Sequence, residues 1–385
     1  MGTLLAATVV GMDEPPPGCH DPLRDAPDTS IARTDHRVSG NRVAWACGPL
    51  EQGSITDIEL GFEPAWVLPD PRQPGQSWLV TSAAGAVISV QVEPDGRAIL
   101  GPKPLVHLEP GQPPVARMTA SGELVVNSAH EAPDRFDDPL PDARVVETPG
   151  GDLVALTTPT DRYPHGVLGD GIEATAIDLR SPDGDVTRIE VGDTMVIEGI
   201  APIVEDLDAD GLPEVIATVS DMYEGARLVA YDLAGDRMAA SAPIGRGFRW
   251  MHQIGVGPTG PAGETEMIAV RTPHIGGIVE AYRLADGRLR LVASEPGYSS
   301  HRLGSSNLDM AMLADTDADG RLEAIVPAQD MRSLGILSRS GDGFELLASL
   351  PLEATLATNI AATADASGRL RLAVGTEDGR LRVFG

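Results

Sequence analysis

One nine-residue pattern, D-x-D-x-D-G-x-x-E, occurs twice in this chain, as Asp206 to Glu214 and again as Asp315 to Glu323. Aspartates at alternating positions, a glycine for the sharp turn and a closing glutamate supply the oxygens that a hard cation takes from a short loop. Short apolar runs flank each copy: Ile203-Val204 and Val215 to Val219 around the first, Met310 to Leu313 and Ala324 to Val326 around the second. An EF-hand loop lies between helices and closes with an acid at position twelve, so this context instead predicts a loop joining two antiparallel strands. Two calcium sites are expected. Their ligands are the side chains of Asp206, Asp208, Asp210 and Glu214 in one and Asp315, Asp317, Asp319 and Glu323 in the other, with the backbone carbonyls of Leu212 and Arg321. The alternative is an acidic turn without metal, since Asp and Gly are ordinary turn residues; two full copies in matching context favour the metal.

Composition narrows the rest. The chain has 385 residues, with 43 glycines and 32 prolines, and helix-favouring runs are scarce, which suits a fold with many turns. Its 29 basic residues stand against 57 acidic ones for a formal net charge of -28, and Lys103 is the single lysine. Binding nucleic acid by counterion release is thereby excluded, and an anionic membrane surface is disfavoured. Cys19 and Cys47 have neither a C-x-x-C nor a zinc spacing, leaving a disulfide and two free thiols both open. Leu4 to Met12 resembles the apolar core of an export signal, although no basic residue precedes it, and it is too short to span a bilayer. Loops of this kind fill where calcium is millimolar, so a periplasmic or extracellular location is expected, with no transmembrane segment.

Residues 1 to 35 lack periodicity and read as a leader or linker. From there to residue 385 short apolar runs follow one another, separated by Gly, Pro, Asp and Ser, and read as one all-β domain. Aligning on the ninth loop position gives Glu214, Glu266, Glu323 and Arg371, each followed by a strand, a turn and another strand. Units of about fifty residues with four strands each are the signature of a β-propeller blade. Upstream, Ala143 to Val191 and Trp66 to Leu100 make further units, while 105 to 140 divides into one only with strain. Seven four-stranded blades result, with six as the alternative. The last unit ends after three strands, so an N-terminal strand must close the ring, and 41 to 47 or 55 to 60 are the candidates.

The D-x-D-x-D-G-x-x-E loop repeated between strands resembles the FG-GAP or VCBS repeat β-propellers, of which the integrin α-subunit head is the best-known type. The likeness covers residues 195 to 385 well and the preceding stretch poorly; Gly199 to Pro202 echoes the family's Gly-Ala-Pro element loosely, and its Phe-Gly is missing. In that family the loop binds calcium between the first and second strands of a blade, which implies the ligands named above. In Pro258 to Glu266 and Thr363 to Arg371 the ligand positions have largely lost their carboxylates. These two are expected to be metal-free, with Arg371 supplying the positive charge of the missing ion.

In such a ring, the loops that enter strand one and those that join strands two and three share the face opposite the calcium loops. There the sequence gathers Arg162, Tyr163, His165, Arg249, Trp250, His252, Arg271, His274, Tyr298, His301 and Arg302, with Tyr223 and Arg332. One reading is a concave site for an anionic or carbohydrate ligand, with Tyr and Trp as stacking platforms. The other is that these groups cap loop carbonyls and plug the channel. No G-x-S-x-G, H-E-x-x-H or P-loop is present. The function expected is an exported, calcium-binding ligand-binding or adhesion module whose partner is such a ligand or another protein. The alternative is a carbohydrate-active enzyme, a polysaccharide lyase or hydrolase, built from the same face.

Overall fold

The computed structural model describes residues 40–385 apart from 94–96, 111–112, 120, 129–134 and 149, so the leader, Leu4 to Met12 and Cys19 lie outside the described residues. Among those described, the secondary structure is β with no α-helix, and no helix is long and apolar enough to cross a membrane.

The strands fall into units in chain order. Unit 1 comprises Pro64–Pro69, Ser77–Ser82, Ala86–Val92 and Ala98–Leu100, with Val106–His107 also paired to its third strand. Unit 2 is the two-stranded pair Pro114–Met118 and Leu124–Ser128. Unit 3 comprises Val146–Glu147, Leu153–Thr160, Glu173–Arg180 and Val186–Glu190; unit 4 comprises Ile203–Glu205, Glu214–Asp221, Arg227–Tyr231 and Arg237–Ala240. Met195–Ile197 pairs with a strand of each and joins the two. Unit 5 runs Met251–Pro258, Thr265–Arg271, Ile278–Ala285 and Arg288–Pro296, and unit 6 runs Met312–Ala314, Glu323–Pro327, Ser333–Ser340 and Gly343–Pro351. Unit 7 contributes Ala361–Ala364, Leu370–Thr376 and Arg380–Phe384, and its fourth place is taken by Ile55–Glu59, which pairs antiparallel with Arg380–Phe384.

Each four-stranded unit is an antiparallel meander that packs face to face with its neighbours, the arrangement of a β-propeller. The packing explains the sequence. Second strands are sandwiched between adjacent units and buried on both faces, as in Glu214–Asp221, where every residue is buried. Outer strands have one open face and alternate, as in Arg288–Pro296. Units 4 and 5 share Ile216, Leu228, Met251, Val256 and Met267; units 6 and 7 share Met312, Ile336, Leu372 and Phe384. Unit 7 packs in turn on unit 1, where Leu381 and Val383 meet Trp78, Val80 and Val90. A side chain as enclosed as Ile216, at 0 % exposure, stabilises the fold by roughly 1.5–3 kcal/mol.

The two N-terminal candidates part company. Ile55–Glu59 takes the outer position, its alternating pattern leaving one face to solvent. The segment 41 to 47 instead runs along the inner edge of unit 6, where Val43 and Ala44 pair parallel with Leu313 and Ala314. It is held there by Asn41, which donates to Val256 O at 2.8 Å, and by Arg42, which donates to Asp309 Oδ1 at 2.8 Å. Cys47 ends this segment in a disulfide, against the loop of unit 7.

Candidate metal centres and the opposite face

Both D-x-D-x-D-G loops join the first and second strands of their units, and in the same register. Glu205 pairs with Glu214 in one and Ala314 with Glu323 in the other. Inside the loops the hydrogen bonds repeat position by position. Asp206 accepts from the backbone of Asp210 (3.2 Å) and Gly211 (2.9 Å), and Asp315 accepts from Asp319 (3.2 Å) and Gly320 (3.0 Å). Leu212 N and Arg321 N each donate to the aspartate two residues before, at 2.8 Å. Gly211 and Gly320 have φ of 92° and 87°, a left-handed turn open to glycine.

Carboxylates crowd as a result. Oxygens of Asp206, Asp208 and Asp210 lie within 4.8 Å of one another, and so do those of Asp315, Asp317 and Glu323. Glu214 stands outside the first group and accepts from Leu207 N at 2.7 Å; Asp319 stands outside the second and pairs with Arg321 at 2.6 Å. Burial first, and the neighbouring aspartates after it, push Glu214 and Glu323 up to about 7. Glu323 Oε1 is buried and has no hydrogen-bond partner. A divalent cation at the centre of either group would supply positive charge, and in the second it would also supply the partner that Glu323 Oε1 lacks.

The degenerate loops show the substitute. Glu266 is fully buried, accepts from Thr259 Oγ1 at 3.0 Å as Glu323 does from Thr316, and is met by Arg283 at 2.6 Å and Arg339 at 2.8 Å. Two guanidiniums, one from the next strand of unit 5 and one from unit 6, balance this buried charge. In the loop of unit 7, Arg371 faces Asp365 and reaches Gly75 O of unit 1 at 2.9 Å. Unit 1 uses a third device: Asp70, one residue past its first strand, is held by Arg72 Nε at 2.9 Å.

On the opposite face the predicted residues gather around a buried centre: Tyr163, Trp250, His252 and His301 are buried, His165, Arg249, Arg271, His274, Tyr298 and Arg302 are half-buried, and Arg162 is exposed. The 161–172 loop folds inward so that Val167 and Leu168 pack on Ile200, Trp250 and Leu308, with Gly304 N donating to Val167 O at 2.9 Å. Trp250 stacks on His252 (4.9 Å between centroids) and on His274 (5.9 Å), and His301 meets it edge-on. Tyr163 stacks on Phe248 at 4.8 Å. Tyr163 and Trp250 are 1 % and 2 % exposed, so they fill the centre and are not open platforms. The arginines mostly serve the loops: Arg162 donates to Asp193 O and Arg249 to Phe248 O, Arg271 pairs with Glu280, and Arg302 with Glu377. Tyr298 is half-buried over Gly335. A cleft of about 380 Å³ is lined by Glu59, Glu63, Glu377 and Asp378 with Arg380 among them, a net negative setting that disfavours anions.

A carbonyl oxygen only accepts, so His301 donates from Nε2 to Ser305 O (2.5 Å) and its Nδ1 accepts from His274 Nε2 (2.8 Å). Burial lowers His274 to about 4 and His301 to about 3. A histidine depressed in this way adds stability above its unfolded value, near 6.5, that is lost as the pH falls through the folded one. Urea midpoints are therefore expected to fall between pH 6.5 and 4, and His301→Gln should flatten that slope; an unchanged slope would refute it.

Sequence reading missed Glu198. It is buried, accepts from His165 Nδ1 at 2.6 Å and from Ser220 Oγ, and its carbonyl accepts from Trp250 Nε1. Nothing around it in the sequence marks it, since its partners lie 22 to 52 residues away.

No family model matches the chain, and no curated protein does. Among solved structures it is similar to the β-propeller domain of Cps50 (Swd1) from Myceliophteria thermophila, at 12 % identity over 84 % of this chain and 96 % of that one, with a TM-score of 0.39. That likeness is distant, and the fold assignment rests on the strand pairing and shared cores above.

Proposed function

We propose that this chain is a calcium-stabilised β-propeller of the FG-GAP or VCBS type, exported from the cytosol and acting as a ligand-binding or adhesion module. The observation that carries it is the pair of acid-rich hairpin loops, alike in register, hydrogen bonding and crowding of carboxylates. Counting unit 2 as a blade gives seven. Closure of the ring is supported by Ile55–Glu59 in unit 7 and by the core that units 7 and 1 share. The disulfide at Cys47 favours an oxidising compartment.

The partner docks on the face opposite the calcium loops. Its centre is filled, but Tyr223 (82 % exposed), Leu303 (69 %) and Ile275 (63 %) stand out from the loops there, the kind of side chain that a protein partner covers. The His165–Glu198 pair favours a second reading, a carbohydrate-active enzyme, because a histidine oriented by a buried carboxylate is equipped for proton transfer.

Two measurements test these readings. Millimolar calcium should raise the melting temperature of chelator-treated protein where magnesium does not, and an unchanged melting curve counts against the calcium loops. Incubation with acidic and neutral glycans, followed by product analysis, separates module from enzyme: new reducing or unsaturated ends would favour the enzyme.

A further inference from the structure

Two arginines and one aspartate tie the inner edges of several units together. Arg144, at the entrance to unit 3, donates from Nη1 to Asp309 Oδ2 at 2.7 Å, while Arg42 donates from Nε to Asp309 Oδ1 at 2.8 Å. Asp309 leads into unit 6, and Arg42 also reaches Gln253 O of unit 5 at 3.0 Å. The guanidinium of Arg144 lies over the Trp66 ring of unit 1, 5.5 Å from its centroid. All three charged side chains are at most 6 % exposed.

Both Asp309 oxygens are engaged, yet Arg144 has donors left over. Its Nε and Nη2 are buried and neither has a hydrogen-bond partner. These two atoms form the side-on edge of the guanidinium, which matches the two oxygens of a carboxylate or phosphate with parallel hydrogen bonds. Leaving a buried donor unmet costs free energy, and native proteins seldom leave two on one side chain. Asp142 lies within the electrostatic reach of Arg144 but makes no hydrogen bond to that edge. Nearby, His252 Nε2 is a further buried atom without a partner, on a ring that feels the charges of Arg42 and Asp309.

We propose that the side-on edge of Arg144, framed by Trp66 and Asp309 where the inner strands meet, binds a small oxyanion through a carboxylate or phosphate group. The site is separate from the calcium loops and from the arginines named above on the face opposite them. It stands or falls independently of them.

The test uses the full chain, with inorganic phosphate and acetate as probes at matched ionic strength against chloride. Purified protein is first denatured and its released anions identified by ion chromatography. The folded protein is then titrated with each probe, followed by its melting temperature and, for phosphate, by the ³¹P line width. The expected result is a carried oxyanion, or saturable binding of one probe. Arg144→Lys keeps a charge for Asp309 but loses the two-pronged edge, so its affinity should be roughly tenfold weaker, the worth of one charge-assisted hydrogen bond. Arg290→Lys, on the outer strand of unit 5, should bind as the wild type does. Wild-type protein that neither carries nor takes up an oxyanion overturns the proposal, whether or not Arg144→Lys folds. Equal affinity in Arg144→Lys and wild type overturns it too, and assigns the binding to the surface.

Discussion

Arg339→Met is expected to destabilise the protein by about 3 kcal/mol, because it strips one of two guanidiniums from a carboxylate that has no access to water. Glu266 is fully enclosed, and Arg339 meets it with a side chain that is only 2 % exposed while also donating to Gly343 O at 2.5 Å. Arg283, the other partner, is a third exposed, and Arg283→Met should cost about 1 kcal/mol or less. Combining Glu266→Gln with Arg339→Met should cost less than the two single changes added together, since each removes the reason for the other. Urea unfolding measures all of these. The loss in Arg339→Met should be the same with calcium or chelator, because this loop holds its charge balance without metal; a loss that appears only after chelation would contradict the substitution of arginine for an ion.

The second large effect belongs to the intact loops. Each gathers three carboxylates, and under the proposed function a bound cation would convert their repulsion into a crosslink across the hairpin. At calcium concentrations a hundredfold above the dissociation constant, binding to the folded state alone adds about 2.7 kcal/mol per site. Asp208→Ala together with Asp317→Ala should remove the calcium-dependent part of the stability, and each single change about half of it. Without calcium the double variant should be no less stable than the wild type, since two of the crowded charges are gone. A double variant that still gains stability from calcium would place the ions elsewhere.

Much of this was legible because it is local. The two loops announce themselves within nine residues, and the strand that follows each, such as Val215 to Val219, is marked by its largely apolar, β-branched run. What the sequence hid is non-local. Both Arg42-Val43-Ala44 and Ile55 to Glu59 have strand-like character, and only the three-dimensional packing decides that one lines the inner edge of unit 6 and the other completes unit 7. The Arg42–Asp309 bond spans 267 residues and the Arg339–Glu266 bond 73, separations at which no spacing rule operates. The histidine and aromatic face was found by composition, which left an open site and a plugged channel both standing, because burial of Trp250 depends on how far Val167 and Leu168 reach inward from an enlarged loop. Glu198 shows the same limit: it sits between Ile197 and Gly199 with no local cue to the histidine it orients.

Calorimetric titration of chelator-stripped protein with calcium tests the central claim most directly. Two ions per wild-type chain, one in Asp317→Ala and none when Asp208→Ala is added, is the expected result. No heat of binding in the wild type, or two ions still bound after both loops are disabled, would contradict it.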